Sequence, residues 1–231
     1  MTNKLLKVTL IILSCLASIL VYAKDTFIHR GGLVMIPMIF SSIFAFAIVV
    51  AKLRQFFDNR IDAGNFMKEI FERIERQRIK EALDLCDKFP APLAHVVKAG
   101  LMKYDRPKDE IKEAMEASYL QEAPLLEENL SILSTVVQIA PLLGFVGTLI
   151  GMMGILQVVE VKGISSLAVA ATDLAPGIWQ ALICSAAGFL IAIPVFMAHN
   201  YLLSRVRSLL DEMELGATEL LGFLMERRVS S

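Results

Sequence analysis

Thr148 is the first residue of this chain whose type and position could do chemistry. It lies four residues after Gly144 and three before Gly151, so a helix places its hydroxyl beside a face formed by Gly144, Gly147, Gly151 and Gly154. Such a face lets helices approach closely, and the hydroxyl can bind water or a carboxyl group. It can equally bond back to the carbonyl four residues earlier, as Thr and Ser often do in membranes.

A second hydroxyl, that of Ser185, lies on a similar face. Ala181, Ser185, Gly188 and Ala192 follow one another at spacings of four, three and four residues. We therefore predict that Thr148 and Ser185 line a polar path. The glycines around Thr148, together with Ala181 and Gly188, are predicted to pack helices. For both hydroxyls, the simpler alternative of a local bond to the backbone stays open.

Three further residues modify these helices. Pro141 and Pro194 lack an amide donor, so the carbonyls of Val137 and Leu190 lose their helical hydrogen bonds. We expect the helices to kink at these two positions. Gln180 stands near the predicted outer end of its helix, where we expect it to form a polar outer entrance.

The elements that must position these residues are three uncharged stretches. The chain has 231 residues and is 55% hydrophobic, and its net charge of −1 hides a strong segregation of charges. Each stretch can cross a hydrocarbon core of about 30 Å as a helix. We predict an all-α integral membrane protein whose three spans are residues 33–51, 131–159 and 175–203.

Flanking charges set the predicted topology. Lys and Arg concentrate in 52–130 and after 203, which the positive-inside rule places in the cytoplasm. The start of the chain has the pattern of a signal peptide, with a short uncleaved span as the alternative. The remaining predicted segments are a signal peptide or apolar segment at 1–23, a periplasmic segment at 24–32, a cytoplasmic helical region at 52–130, a periplasmic loop at 160–174 and a cytoplasmic C-terminal helix at 204–231.

The cytoplasmic region has helical periodicity. Phe66, Ile70 and Ile74 recur at helix spacing among charged residues. From Lys108 we expect one long helix that runs through Asn129 into the second span. The third span is likewise predicted to continue into the cytoplasm.

Several functions are not expected. His29, His95 and His199 lie far apart without ligand spacing, so we predict no metal site and no cofactor. Acidic residues interleave with the basic ones, which argues against nucleic-acid binding. No nucleophile–base constellation or phosphate-binding loop appears, so we do not predict an enzyme. A proton path normally uses an intramembrane carboxylate or histidine, and the spans offer no carboxylate at mid-membrane. If the chain conducts protons, the acid should come from another polypeptide.

Two long segments carry a family resemblance. Residues 138–153, which contain the Gly144–Thr148–Gly151 pattern, and residues 175–194 closely resemble the second and third spans of the MotA/TolQ/ExbB proton-channel family. Residues 31–37, 81–86 and 92–94 are also similar to it. The order and length of the segments favour the ExbB/TolQ branch.

The resemblance implies a homopentamer in the bacterial inner membrane, with a periplasmic N-terminus and a cytoplasmic C-terminus. Two copies of a single-span ExbD/TolR-like partner would lie inside the ring and supply a titrating aspartate, and a TonB/TolA-like protein would be a further partner. The proton motive force would then drive envelope work such as biopolymer transport. A sodium-driven stator subunit and a non-conducting membrane scaffold are the alternatives.

The same resemblance assigns roles to single residues. Thr148 matches the pore-facing threonine of the family's second span, and Ser185 stands where a threonine is usual in the third. Gln180 occupies a position where ExbB and TolQ members often have glutamate. That departure puts any role of an acid at this position in doubt.

Overall fold

The computed structural model describes residues 32–58, 62–164 and 168–230. Within these residues the chain forms seven helices and no strand, which confirms the predicted all-α class. The helices are α1 (Met35–Asp58), α2 (Ala63–Glu75), α3 (Ile79–Lys88), α4 (Pro92–Leu101), α5 (Lys108–Glu127), α6 (Leu130–Ile164) and α7 (Ala171–Ser230). The predicted signal peptide or apolar segment at 1–23 lies outside the described residues, as does nearly all of 24–32.

Three helical stretches are long and apolar enough to cross a membrane, as predicted: Met35–Phe56, Lys108–Gly163 and Ala171–Arg227. Most side chains in their apolar parts are not buried inside the chain. Large exposed side chains such as Phe40, Phe145, Leu156 and Met197 would be costly to leave in water. The protein is therefore a multi-pass membrane protein, whose apolar helix faces need lipid or other chains against them.

The described chain divides into two compact units, and the first contains residues 32–46 and Ser134–Phe196. It holds the start of α1, most of α6 and the first part of α7. The side chains at its centre come from α7, from the beginning of α1 and from the residue just before α1: Val34, Met35, Met38, Ile183, Cys184 and Ala187, with Leu143 and Ile191 packed against them.

The second unit contains Ala47–Leu133 and residues 197–230. Its short helices are amphipathic, and α2 buries Phe66, Ile70 and Ile74, as their spacing predicts. Asp62 accepts a hydrogen bond from the Asn65 amide at the start of α2. At the other end of α2, Arg227 donates hydrogen bonds to the carbonyls of Ile74 and Glu75. A side chain from the far end of the sequence therefore caps this helix.

One prediction about the helices is wrong. The helix from Lys108 does not continue into the second span, because α5 ends at Glu127 and α6 begins at Leu130. Asn129 has a φ of +65°, in the left-handed region that Asn tolerates better than most residues. The Lys52 side chain is only 4% exposed and donates hydrogen bonds to the Leu125 and Leu126 carbonyls in the last turn of α5. Lys52 therefore donates hydrogen bonds to two carbonyls that the end of a helix otherwise leaves without a donor.

Helices α6 and α7 are both longer than the predicted spans. α6 extends to Ile164 and α7 starts at Ala171, so both reach into the segment 160–174 that was predicted as a loop. α7 is one helix of 60 residues. Pro141 and Pro194 lie inside α6 and α7, which run through them without interruption. The kinks expected there stay predictions.

Candidate functional site

The small residues of α6 and α7 form a backbone-to-backbone contact between two antiparallel helices. A Cβ atom added to Gly144 would lie 2.9 Å from the Cys184 carbonyl oxygen. One added to Gly188 would lie 2.8 Å from the Ala140 carbonyl oxygen and 3.1 Å from the Gly144 Cα. These distances are too short for any side chain, so only glycine allows the helices to approach this closely.

The same contact continues along α6. A Cβ on Gly151 would lie 2.7 Å from the Gly177 carbonyl oxygen and 2.8 Å from the Ala181 amide nitrogen. Gly147 faces the Cys184 side chain, which fills the space that a side chain at 147 would need. Gly144, Gly147 and Gly151 therefore all lie against α7, on the face that their spacing defines.

Gly154 does not take part in this contact. A Cβ built on Gly154 meets no other atom within 4 Å, so Gly154 does not pack against another helix of the same chain. Its predicted role in helix packing stays a prediction. Sequence reasoning also missed two contact residues, Gly177 and Cys184. Gly177 precedes Ala181 by four residues, a spacing that could have placed it on the small-residue face of α7. A cysteine gives no such signal, because it is neither among the smallest residues nor polar.

Thr148 lies inside this contact and bridges the two helices. Its hydroxyl donates to the Gly144 carbonyl on its own helix at 3.0 Å and to the Ala181 carbonyl on α7 at 3.3 Å. The local bond that the sequence left open is thus present, and a bond between helices accompanies it. The side chain is half-buried.

Ser185 is close to Thr148 in the contact but differs in its bonding. A Cβ atom added to Gly144 would lie 3.4 Å from the Ser185 Cα, and the Ser185 side chain is half-buried. Among the residues that the structure describes, its hydroxyl has no hydrogen-bond partner. It follows Ala181 by one helical turn, and the two hydroxyl-bearing residues therefore belong to one small region of α6 and α7.

Gln180 lies at one end of this unit, beside the start of α1. A Cβ on Gly32 would be 2.7 Å from the Gln180 amide nitrogen, and Gly32 has a φ of +69°. An ion pair joins Lys162 at the end of α6 to Asp173 in the first turn of α7. The structure thus places Gln180 beside Gly32 and one residue before Ala181, whose carbonyl accepts the hydrogen bond from Thr148.

Charged groups are absent from the contact itself. Residues 131–159 and 175–203 contain no Asp, Glu, Lys or Arg. Across residues 32–58, 62–164 and 168–230, no three His, Cys, Asp or Glu side chains come together as metal ligands would. The contact can therefore offer hydroxyls and backbone carbonyls to an ion or a carboxyl group. It supplies no carboxylate, amine or guanidinium group of its own.

Comparison with known proteins places this arrangement in a family. The sequence model of the MotA/TolQ/ExbB proton channel family matches residues 88–215, more than half of the chain. The chain belongs to this family. The matched region includes all of α6 and the part of α7 that packs against it, so the Thr148 contact lies within the family's own sequence pattern.

Relatives support the ExbB/TolQ-like branch of the family. A putative biopolymer transport protein ExbB homolog of Methanothermobacter thermautotrophicus is 25% identical over 81% of this chain. The match covers 65% of that relative, so the chain spans slightly less than two thirds of its length. The Tol-Pal system protein TolQ of Haemophilus influenzae is 28% identical, in a match that covers 77% of this chain and 81% of the TolQ chain. The biopolymer transport protein ExbB of Aquifex aeolicus is 33% identical over 38% of this chain and 57% of its own.

Proposed function

We propose that this chain is the ring-forming subunit of a proton-channel motor in the bacterial inner membrane. The motor would couple the proton motive force to envelope work such as biopolymer transport. The role is one of transport, not of enzymatic catalysis. Membership of the MotA/TolQ/ExbB family and the relatives named for biopolymer transport and for the Tol-Pal system support this assignment.

The observation that carries the proposal is the position of the Thr148 hydroxyl. It lies between two helices that have no charged side chain along their apolar parts, and it is half-buried. A polar group in such surroundings marks an ion pathway when a titrating group can reach it. Since these two helices supply none, the carboxylate must come from a second polypeptide.

The assembly follows from that requirement and from the family. Five copies of the chain would surround two copies of an ExbD/TolR-like protein with one span, whose aspartate takes up and releases protons beside Thr148 and Ser185. A TonB/TolA-like protein would carry the motion across the envelope. The Lys and Arg residues of 52–130 support a cytoplasmic position for this region and for the C-terminus, with a periplasmic N-terminus.

The test is proton flux in liposomes that contain the chain purified together with its single-span partner. In the double variant Thr148→Val and Ser185→Ala, we expect flux to fall roughly tenfold or more. The reason is that hydrogen bonds to a titrating group contribute about 1.5–3 kcal/mol. Ser41→Ala is the matched control: it removes a hydroxyl from α1, where Ser41 only bonds back to the Met38 carbonyl at 2.9 Å.

Three outcomes would contradict the proposal in different ways. Unchanged flux in the double variant, with the ring intact, would remove Thr148 and Ser185 from the pathway. Flux that depends on sodium and not on pH would indicate a sodium-driven stator subunit. An assembly that works normally after the proton gradient and membrane potential are collapsed would indicate a non-conducting scaffold.

A further inference from the structure

A cavity of about 600 Å³ lies within the second unit, at the ends of two apolar helical stretches. Leu53 and Phe56, in the last turns of the apolar part of α1, form part of its wall. Tyr201 and Arg205 line it from α7, at the end of the uncharged residues 175–203 and just beyond it. Tyrosine and the first basic residue after a span belong to the interface between lipid and water. The cavity therefore lies at the level of lipid headgroups.

The charged groups that face this cavity are mostly acidic. Among the described residues that line it, Arg205 is the one permanent cation, whereas Asp62, Glu122 and Glu212 are carboxylates. Glu122 is bound by His95 at 2.7 Å, and Asp62 accepts hydrogen bonds at the start of α2. The Glu212 side chain has no such partner in the part of the chain that the structure describes. An anionic ligand would meet more like charge than opposite charge here.

Arg205 and Glu212 carry opposite charges on the same face of α7. They are seven residues apart, about 10 Å along the helix axis, with Ser208 and Leu209 between them on the cavity wall. Direct ion pairs on a helix need a spacing of three or four residues, so these two charges do not pair. The Arg205 Nε donates to the Tyr201 hydroxyl at 3.4 Å, and its guanidinium carbon lies 5.7 Å from the tyrosine ring centre. The other guanidinium N–H groups face no carboxylate among the described residues.

We propose that this cavity binds the headgroup of a phosphatidylethanolamine-type lipid, with the phosphate on Arg205 and the ammonium group on Glu212. The guanidinium fork matches phosphate oxygens, and an ammonium group has N–H donors for a carboxylate. Such a headgroup carries one charge of each sign, as the two unpaired side chains require. Leu53, Phe56 and the exposed Leu125 supply apolar surface for the first part of the acyl chains.

Charge and hydrogen bonding distinguish this lipid from the other common ones. Phosphatidylglycerol offers the phosphate but no cation, so Glu212 would face a negative charge without compensation. Phosphatidylcholine has a cation without N–H groups, so it cannot donate to the carboxylate. The inference goes beyond the proposed function, because lipid binding needs neither a partner chain nor proton flow.

Native mass spectrometry of the full chain, stripped of lipid and titrated in detergent with lipids of matched acyl chains, tests this inference. We expect phosphatidylethanolamine to bind about fivefold more tightly than phosphatidylglycerol or phosphatidylcholine. Arg205→Gln should weaken the binding of all three lipids, because it removes the phosphate contact. Glu212→Gln should weaken phosphatidylethanolamine about fivefold and leave phosphatidylglycerol equally or more tightly bound.

Arg207→Gln and Glu214→Gln are the matched controls. They make the same changes of charge on exposed residues of α7 that do not line the cavity, so lipid binding should stay as in the unmodified chain. Equal effects of control and cavity variants would overturn the inference, since binding would then follow the charge of the whole surface. The lipid preference of the unmodified chain tests the inference independently of any variant.

Three other results would overturn it and point to a different ligand. Phosphatidylglycerol that binds at least as tightly as phosphatidylethanolamine would indicate a site for anionic lipid. Glycerophosphoethanolamine has the same headgroup without acyl chains, and if it competed as well as the lipid, the ligand would be a soluble zwitterion. Absence of any preference among the three lipids would leave the cavity to a protein segment.

Discussion

The Lys52 ammonium group donates a hydrogen bond to the carbonyl oxygen of Leu126 over 3.3 Å, although the two residues lie far apart in the sequence. A second bond of the same length reaches the Leu125 carbonyl. Both carbonyls belong to the last turn of α5, where no helical amide follows to bind them. A buried lysine on α1 thus closes the end of α5 just before the left-handed Asn129 starts the turn into α6.

We predict that Lys52→Met loosens the end of α5. The thioether has nearly the length of the lysine stem but cannot donate, so two carbonyls lose their donor at a cost of about 1–3 kcal/mol. Hydrogen exchange followed by mass spectrometry should show faster exchange in the peptide that contains Leu126 to Leu130, together with a lower melting temperature in detergent.

Lys103→Met is the matched control for this change. Lys103 is exposed in the turn that follows α4, so the same replacement removes a charge without removing a buried side-chain cap. It should leave both exchange and melting temperature nearly unchanged. Equal effects of the two variants would show that loss of positive charge, and not loss of the cap, is responsible.

Two glycines of the α6–α7 pair should respond oppositely to alanine. In Gly188→Ala the new methyl group would lie 2.8 Å from the Ala140 carbonyl oxygen, so the helices must separate, at a cost of about 1–3 kcal/mol. Gly154→Ala meets no atom within 4 Å and should be neutral within one chain, or stabilise α6 by up to about 1 kcal/mol.

Thermal unfolding of the purified chain measures both glycine variants. A strongly destabilised Gly154→Ala variant would show that Gly154 packs against another copy of the chain. An unaffected Gly188→Ala variant would contradict the backbone contact described above.

The sequence was sufficient for the helical spans and for most of the small-residue contact. Uncharged length predicts spans because lipid excludes charge, and glycine spacing predicts a helix face because the helical repeat is fixed. Both signals are local, and the structure bears out the three spans. Gly144, Gly147 and Gly151 lie where their spacing placed them.

The features that the sequence did not reveal depend on distant partners. The helix break at Asn129 was missed because Glu127, Glu128 and Asn129 do not stop a helix strongly by themselves. The break is supported by Lys52, which is far away in the sequence. The second acceptor of Thr148 was missed for the same reason, since only the fold brings the Ala181 carbonyl within 3.3 Å.

We predict that the Cys86 thiol reacts very slowly in the folded protein. Cys86 is buried in the second unit, and burial, with a further contribution from Asp87, raises the pKa of its thiol to about 12. Compared with an ordinary thiol, the raised pKa lowers the thiolate fraction near pH 8 about a thousandfold. Limited access of the reagent to the buried side chain slows the reaction further. Alkylation should be read peptide by peptide, so that Cys86 is measured separately from the other cysteines.

The sign of the pH effect follows from the same shift. Above pH 9 an unfolded chain releases the thiol proton while the folded chain keeps it, so stability should fall as pH rises from about 9 to 12. Replacing Cys86 by alanine should remove this component of the pH dependence. Fast alkylation under native conditions that is not increased by denaturant would contradict the buried position.

Asp173 joins the start of α7 to the end of α6. Its carboxylate pairs with Lys162 and also accepts a hydrogen bond from the Ala170 amide at 2.9 Å, while its own amide donates back to the Ala170 carbonyl at 3.0 Å. The bond from the Ala170 amide to the Asp173 carboxylate is one half of a helix N-terminal capping box, and the alanine at the N-cap has no side-chain acceptor for the other half. We predict that Asp173→Asn, which keeps an acceptor for Ala170 but loses the ion pair, changes exchange of the Ala170 amide only slightly, because partly exposed ion pairs contribute little. Asp173→Ala removes both interactions and should speed exchange at Ala170 roughly tenfold.

Two results would contradict this account of Asp173. If the Ala170 amide exchanges as slowly in Asp173→Ala as in the unmodified chain, Asp173 does not cap α7. If Asp173→Asn has a large effect that depends on salt, the ion pair is the main link between the two helices.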